Sequence, residues 1–263
     1  MDLLQSTILG FIQGVTEWLP ISSTGHLRIA EHSFALTIPA LFDVLLHVGT
    51  LFVTLVYFRK AIWDVLKALA KRDFKSEDGK LIPLIIIGTV PTVLIGFFYG
   101  NELDLTLSTT LFLGIGFVIS GFVLYASKFG KENKQEISYI DALIIGTVQG
   151  IAIIPSVSRS GFTIAVALLL GIRREQAFKF SFLLSIPSII GALGLTVYQQ
   201  HSELALAGVG LTEIIVGVVV SIIVGFFALK LLWRALASRK FYIFAFYCFI
   251  LGIVLVMLSP LGF

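Results

Sequence analysis

Hydrophobic positions in this chain come as long unbroken runs rather than as strict alternation or a one-sided stripe. Six runs, at about residues 38–58, 81–99, 107–126, 177–198, 209–233 and 241–260, are long enough to cross a bilayer as helices, for which about 20 apolar residues suffice. Two further regions, about 3–34 and 139–171, are equally apolar but broken midway. The interruptions are Pro20-Ile21-Ser22-Ser23-Thr24-Gly25 and Pro155-Ser156-Val157-Ser158-Arg159-Ser160-Gly161. Each flanking piece is too short to span alone. Irregular backbone at membrane depth survives only where protein or a wet cavity satisfies its N–H and C=O groups, so the pattern predicts two re-entrant helical hairpins. The expected fold class is an all-α polytopic membrane protein, a single integral-membrane domain over 1–263.

Composition agrees. Of 263 residues, 57% are hydrophobic and 13% charged, against about 25% charged in ordinary globular domains, and the mean hydropathy is +0.99. A soluble enzyme, a disordered chain and a disulfide-stapled scaffold are excluded. The single Cys248 lies in an apolar run and reads as a small buried hydrophobe. Met1-Asp2-Leu3-Leu4 carries no basic region before its apolar stretch, which argues against a cleaved signal peptide.

Charge orients the spans. Segments 59–80, 127–136, 172–179 and 230–240 hold 17 of the 19 Lys and Arg residues, whereas the short connections 100–106 and 199–208 hold none and carry Glu102, Asp104 and Glu203. The positive-inside rule places the four basic segments in the cytoplasm. Threading six spans under that constraint opens the first hairpin to the outer side and the second to the cytoplasmic side.

The broken regions resemble each other. Gln13, Gly14, Ser22, Thr24 and Gly25 recur as Gln149, Gly150, Ser158, Ser160 and Gly161, each pair 136 residues apart, and three spans follow each region. An odd number of crossings per half makes the second copy inverted, with repeats of approximately 1–136 and 137–263. In inverted-repeat membrane proteins, paired interrupted helices mark the binding site near the midplane. The costly intramembrane groups Glu17, His26 and Arg159 fall inside these same segments, where close packing of small residues does not account for them.

Brought together, the tips offer the hydroxyls of Ser22, Ser23, Thr24, Ser158, Ser160 and Thr163, together with His26, Arg159, Glu17 and free backbone N–H groups. This is an anion cradle suited to phosphate, with Arg159 supplying a planar fork of donors. Gln13 and Glu17, one helical turn apart, could hold a hard divalent cation, Mg²⁺ or Ca²⁺. Phosphoryl transfer needs positioning and charge neutralisation plus a nucleophile. Ser23 with His26 as base is the first choice, because three residues of helix would bring them to one side. Direct attack by His26, or by a metal-activated water, stays open. Asp43 and His47, at i, i+4 spacing, read equally as a structural couple and are left outside the core site. Asp141 and Glu213 lie near membrane boundaries, where solvation explains them.

Gln13-Gly14-Val15-Thr16-Glu17-Trp18-Leu19-Pro20-Ile21-Ser22-Ser23-Thr24-Gly25-His26 resembles the first signature of the undecaprenyl-diphosphate phosphatase, or bacitracin-resistance, family. Pro155-Ser156-Val157-Ser158-Arg159-Ser160-Gly161-Phe162-Thr163 resembles its second. The likeness extends over the whole chain. It implies a cell-membrane hydrolase that removes the terminal phosphate of a polyprenyl diphosphate lipid, regenerates the monophosphate carrier for cell-wall polymers, confers bacitracin resistance and requires a divalent cation. Carried over by position, it implies metal-associated residues at Gln13 and Glu17, a nucleophile at Ser23, an essential histidine at His26 and phosphate binding by Arg159, supported by Ser158 and Thr163. Gln13 stands where many members have Glu, and Ser156 where the second signature usually has Gly. Expected partners are the lipid substrate and membrane lipids, with no nucleic acid; monomer and homo-oligomer are both left open. The competing class is a translocase that flips polyprenyl phosphate through the same cradle, for which Ser23 beside His26 has no use.

Overall fold

A computed structural model of the chain describes residues 1–36, 38, 40–200 and 209–261, the side chains at 40, 100–106, 199, 200 and 261 excepted. In chain order the helices are α1 Leu3–Trp18, α2 Ser23–Ser33, α3 Ala40–Tyr57, α4 Arg59–Lys71, α5 Leu81–Leu107, α6 Thr110–Ala126, α7 Tyr139–Ile151, α8 Arg159–Leu169, α9 Arg174–Gln200, α10 Leu211–Ala237 and α11 Phe244–Leu258. Five of them, α5, α6, α9, α10 and α11, are long and apolar enough to cross a membrane, and α3 with α4 makes a sixth, bent candidate. At 1.5 Å per residue α1 is about 24 Å long, and α2, α7 and α8 are about 16–20 Å. None of these four crosses a hydrocarbon core of about 30 Å. Instead α1 packs against α2 and α7 against α8, as helical hairpins require.

Two boundaries differ from expectation. The basic linker at 59–80 contains α4, bent by 76° from α3. Its Trp63, Leu66 and Leu69 recur at helical spacing and stay exposed among Arg59, Lys60, Lys67 and Lys71. That is the composition of a helix lying in the membrane interface; the charges hide the helical period from a reading that counts apolar runs. The connection expected at 100–106 is helical instead. Gly100 does not end α5, no proline follows, and the break falls at Ser108 and Thr109, where Thr109 takes an extended ψ of 151°. The side chains of Glu102 and Asp104, and Glu203 with the rest of 201–208, lie outside the described residues.

Large apolar side chains stay exposed along the spans, including Ile86 and Phe97 of α5, Phe122 of α6, Phe227 of α10 and Ile250 of α11. A soluble monomer does not present such extended apolar surface, so these faces meet lipid. At one end of the bundle the basic segments are tied together: Lys179 pairs with Asp78 at 2.8 Å, Lys80 with Glu136 at 2.9 Å, and Glu132 with Arg174 and, at 3.9 Å, with Arg239. All four basic segments therefore share one end.

The halves repeat one another's packing. α1 lies on α10 as α7 lies on α5, α3 packs on α10 as α9 packs on α5, and α6 crosses α11. The crossings are made close by glycine. A Cβ on Gly252 would lie 2.7 Å from the Gly114 carbonyl oxygen, and one on Gly114 would lie 2.9 Å from that of Gly252. In the same way Gly10 abuts the Gly217 backbone and Gly146 that of Gly88. Below the tips, Trp18 is fully buried with its ring centroid 5.2 Å from that of Phe182, which fixes the end of α1 to α9.

Gly146→Ala should overpack the α5–α7 crossing and destabilise the fold by about 1–3 kcal/mol, read as an earlier unfolding midpoint in detergent. Gly194→Ala, whose Cβ would meet nothing within 4 Å, should leave the midpoint unchanged or slightly raised. Equal behaviour of the two would contradict the close crossing.

Candidate functional site

Both hairpin tips are built by the same device. After α1 ends at Trp18, Leu19 turns extended, and Ser22, at φ 68°, accepts a hydrogen bond from Gly25 N at 3.3 Å to cap α2. After α7, Ser158 accepts from Gly161 N at 3.1 Å and caps α8. Serine is suited to this because its hydroxyl oxygen satisfies one of the orphan donors of a helix start. Ser23 and Arg159 are thus the first residues of α2 and α8, each at the positive end of a helix. They are also 136 residues apart, the spacing of the repeat. The departure at Ser156 falls on a φ of 66°, the left-handed region that glycine enters freely and other residues enter at about 1–2 kcal/mol.

The tips meet. A Cβ on Gly25 would lie 2.9 Å from Ser156 Cα and 2.7 Å from Phe117, and one on Gly161 would lie 3.0 Å from Pro20 Cβ. Gly25 with Ser156 and Gly161 with Pro20 are the same contact seen from each half.

At the meeting point Glu17, 7% exposed, gathers four side chains from α1, α2, α3 and α8. Its Oε2 accepts from Ser23 Oγ at 2.7 Å and from Gln13 Nε2 at 3.2 Å, and lies 3.3 Å from His47 Nε2. Its Oε1 accepts from Arg159 Nη2. The other guanidinium nitrogen, Nη1, is buried and has no acceptor among the described groups, so one edge of the fork is free for an oxyanion. His47 Nδ1 lies 2.7 Å from the Asp43 carbonyl; a carbonyl only accepts, so Nδ1 carries the proton and Nε2 is the nitrogen turned to Glu17.

Ser22, Ser23, Thr24, Glu17, His47, Ser158 and Arg159 line a cavity of about 540 Å³. Its other wall is Thr92, Gln149, Ser185 and Ser188, and its apolar side includes Val93, Phe97, Ile189 and Leu195. Since α5 and α9 start at the basic end, Phe97, Ile189 and Leu195, from their later halves, carry the cavity toward the opposite end.

The remaining expected residues are placed otherwise. His26 does not line this cavity; its Nδ1 donates to the Ser22 carbonyl at 2.7 Å, its Nε2 lies 2.6 Å from Tyr247 Oη, and its ring stacks on Tyr247. The Ser23 hydroxyl, expected to face His26, faces Glu17, because the first turn of α2 directs residues 23 and 26 to neighbouring but different surroundings. His26 bears on the site through the Ser22 carbonyl. Ser160 lies 3.4 Å from the Glu17 carbonyl and joins the two hairpins, and Thr163 donates to the Arg159 carbonyl at 2.9 Å and pairs with Ser181, tying α8 to α9; neither lines the cavity. His47 is the residue the sequence reading left out. Its signal was an ionisable group in a span; what links it to Glu17, thirty residues away, is the fold. Asp43 sits 3.9 Å from Arg28, which pairs with Glu31 at 2.9 Å, in a separate cluster. Asp141 caps α7 through Ser138 and pairs with Lys134 at 2.7 Å, a structural role.

The donor set can be compared with the expected cation. Gln13 is fully buried and its Oε1 has no donor among the described groups, beside the Glu17 carboxylate. No three His, Cys, Asp or Glu side chains converge as a metal cage among the described residues. Gln13 turns its Nε2 to Glu17; the amide exchanged end for end would set one amide oxygen beside one carboxylate, donors of the kind Mg²⁺ takes when phosphate oxygens and water complete its shell.

Residues 6–254 match the family described as bacitracin resistance protein BacA. The chain is 41% identical to an undecaprenyl-diphosphatase of Carboxydothermus hydrogenoformans, over 100% of this chain and 99% of that protein. It is 40% identical to undecaprenyl-diphosphatase 3 of Bacillus cereus, over 98% of each. An undecaprenyl-diphosphatase of the archaeon Korarchaeum cryptofilum is 38% identical over 98% of this chain and 100% of its own length. The chain belongs to the BacA family.

Glu17→Leu leaves the Arg159 guanidinium buried without its carboxylate and should destabilise the protein by about 3–5 kcal/mol. Glu17→Leu with Arg159→Met should recover about half of that, measured as SDS-unfolding midpoints in a double-mutant cycle. Strictly additive losses would contradict direct coupling of the two groups.

Proposed function

We propose that this member of the BacA family hydrolyses undecaprenyl diphosphate to undecaprenyl phosphate and inorganic phosphate. The reaction returns the lipid carrier to cell-wall polymer synthesis and underlies the bacitracin resistance for which the family is named. The observation that carries the reading is the hydrogen bond from Ser23 Oγ to Glu17 Oε2, made at a helix start, in a cavity shared with the free edge of Arg159.

The terminal phosphate enters against Arg159 and the first-turn N–H groups of α2 and α8, where donors aimed at its oxygens stabilise the charge that develops in transfer. Ser22, Thr24 and Ser158 hydroxyls line the same space. Arg159 exchanges part of its contact with Glu17 for phosphate oxygens. Ser23 gives its proton to Glu17 as Oγ attacks phosphorus, the bridging P–O bond breaks, and polyprenyl monophosphate departs. Water then hydrolyses the phosphoryl-serine and Ser23 recovers its proton. His47 holds the same oxygen, Oε2, of Glu17, and His26 fixes the Ser22 carbonyl so that Ser23 stays at the helix start. Gln13 and Glu17 would hold a divalent cation, Mg²⁺ or Ca²⁺, which when bound neutralises charge on the phosphate. The apolar residues Val93, Phe97, Ile189 and Leu195 suit a prenyl chain of undecaprenyl or another length.

In this reading the protein sits in the plasma membrane with its basic end in the cytoplasm, and the cavity faces the outer side. A cysteine introduced at exposed Thr109 should react with a membrane-impermeant maleimide in intact cells, and one at Lys131 only after lysis. The reverse pattern would contradict the orientation.

Phosphate release from undecaprenyl diphosphate by purified protein in detergent should depend on Mg²⁺ or Ca²⁺ and stop with chelator. Ser23→Ala should lower turnover by about 10³-fold or more, and Glu17→Gln and Arg159→Ala by about 10²–10³-fold. Ser23→Ala turning over at the wild-type rate would exclude Ser23 as nucleophile.

A further inference from the structure

Gln149 takes no part in the steps above, yet it lines the cavity at 2% exposure. Its amide is fixed. Nε2 donates to Ser188 Oγ at 2.9 Å and lies 3.3 Å from Thr92 Oγ1 and 3.4 Å from the Leu184 carbonyl. The Thr92 hydroxyl already donates to the Gly146 carbonyl at 2.8 Å, so toward Gln149 it accepts. Turning the amide over would set Oε1 against the Leu184 carbonyl and this oxygen. Oε1 is therefore an acceptor of fixed direction, buried, with no donor among the described protein groups. A group so placed needs a donor from the cavity.

The neighbours narrow what that donor is. Ser185 donates to the Phe182 carbonyl at 2.8 Å and Ser188 to that of Leu184 at 3.3 Å. With their protons directed at helix carbonyls, these hydroxyls and Oε1 present lone pairs, a wall that disfavours an anion. The repeat speaks against a cation. Gln149 matches Gln13, but Ile153 stands where the first half has Glu17, and Ser185 stands in the stretch Phe180–Ser188 where Phe42–Thr50 has His47. The amide is kept and the carboxylate is gone. A small neutral donor remains, and that is water. This wall and the Glu17–His47 wall line one cavity, the one that receives the phosphate in the proposed reaction.

We propose that Gln149 positions the water that completes the reaction. Its Oε1 accepts from a water that attacks the phosphorus of phosphoryl-Ser23 on the side away from Oγ. The water oxygen bonds to phosphorus, the P–Oγ bond breaks, Oγ regains its proton from Glu17, and both water hydrogens leave with inorganic phosphate. The inference rests on the phosphoserine route proposed above.

The test is rapid-quench kinetics with polyprenyl diphosphate labelled in its terminal phosphate, on wild type, Gln149→Met, Ser188→Ala and Ser23→Ala. Gln149→Met should form the first equivalent of monophosphate at the wild-type rate, release phosphate about 10²-fold more slowly, and accumulate label on the protein. Ser188→Ala, a smaller change that removes the partner of Nε2, should slow the same second step and guards against misfolding of the first variant. Ser23→Ala should carry no label. Wild-type phosphate release by both Gln149→Met and Ser188→Ala would overturn the proposal, as would equal slowing of both products without label. No monophosphate from wild type would overturn the phosphatase reading itself, an outcome separate from the others.

Discussion

A carboxylate taken out of water must be met by donors, and Glu17 is met by side chains from four helices at once. Burying an ion in a low-dielectric interior costs several kcal/mol unless its partners are well placed. That cost makes Glu17 a strict constraint on the fold: α1, α2, α3 and α8 must arrive together or the charge stays uncompensated. The same arrangement sets the chemistry, because the partners recruited to satisfy Glu17 are a hydroxyl, an imidazole and a guanidinium, each with a use in phosphoryl transfer.

The repeat explains how so few residues suffice. One hairpin plan, used twice in opposite orientation, puts two helix starts at a common point, and the positions that begin them have diverged into a serine, Ser23, and an arginine, Arg159, the nucleophile and the oxyanion clamp of the proposed reaction. Glycine at the crossings of α1 with α10, α5 with α7 and α6 with α11 lets backbones approach closely enough for the tips to touch. The carboxylate and the imidazole lie in the first half and the guanidinium, Arg159, in the second. Glu17 and His47 have Ile153 and Ser185 as counterparts, so one wall of the cavity is ionic and the other neutral.

Much of this was legible in the sequence, since lipid makes apolar length a direct report of helix number and a broken run a direct report of irregular backbone. The spans and the hairpins follow from that, and the repeat led to the expectation that the tips carrying Glu17 and Arg159 meet, though not that the two side chains pair. What escaped involved information that spacing does not carry. Helix α4 is amphipathic, so its charges masked it. His47 reaches Glu17 only through the packing of α3 on α1. The direction of His26 depends on the backbone at Ser22, whose φ of 68° turns the chain just before α2; i, i+3 spacing alone set Ser23 and His26 on one side, whereas their partners are Glu17 and Tyr247.

In the proposed reaction Arg159 is shared between Glu17 and the terminal phosphate while Ser23 keeps its bond to Glu17. The most direct measurement is a structure with a polyprenyl methylene-diphosphonate, which cannot be cleaved at the bridge. Arg159 should lie on the terminal phosphonate oxygens, with Ser23 Oγ in line with phosphorus and still hydrogen-bonded to Glu17. A diphosphonate bound elsewhere, with Arg159 and Ser23 both unchanged on Glu17, would contradict it.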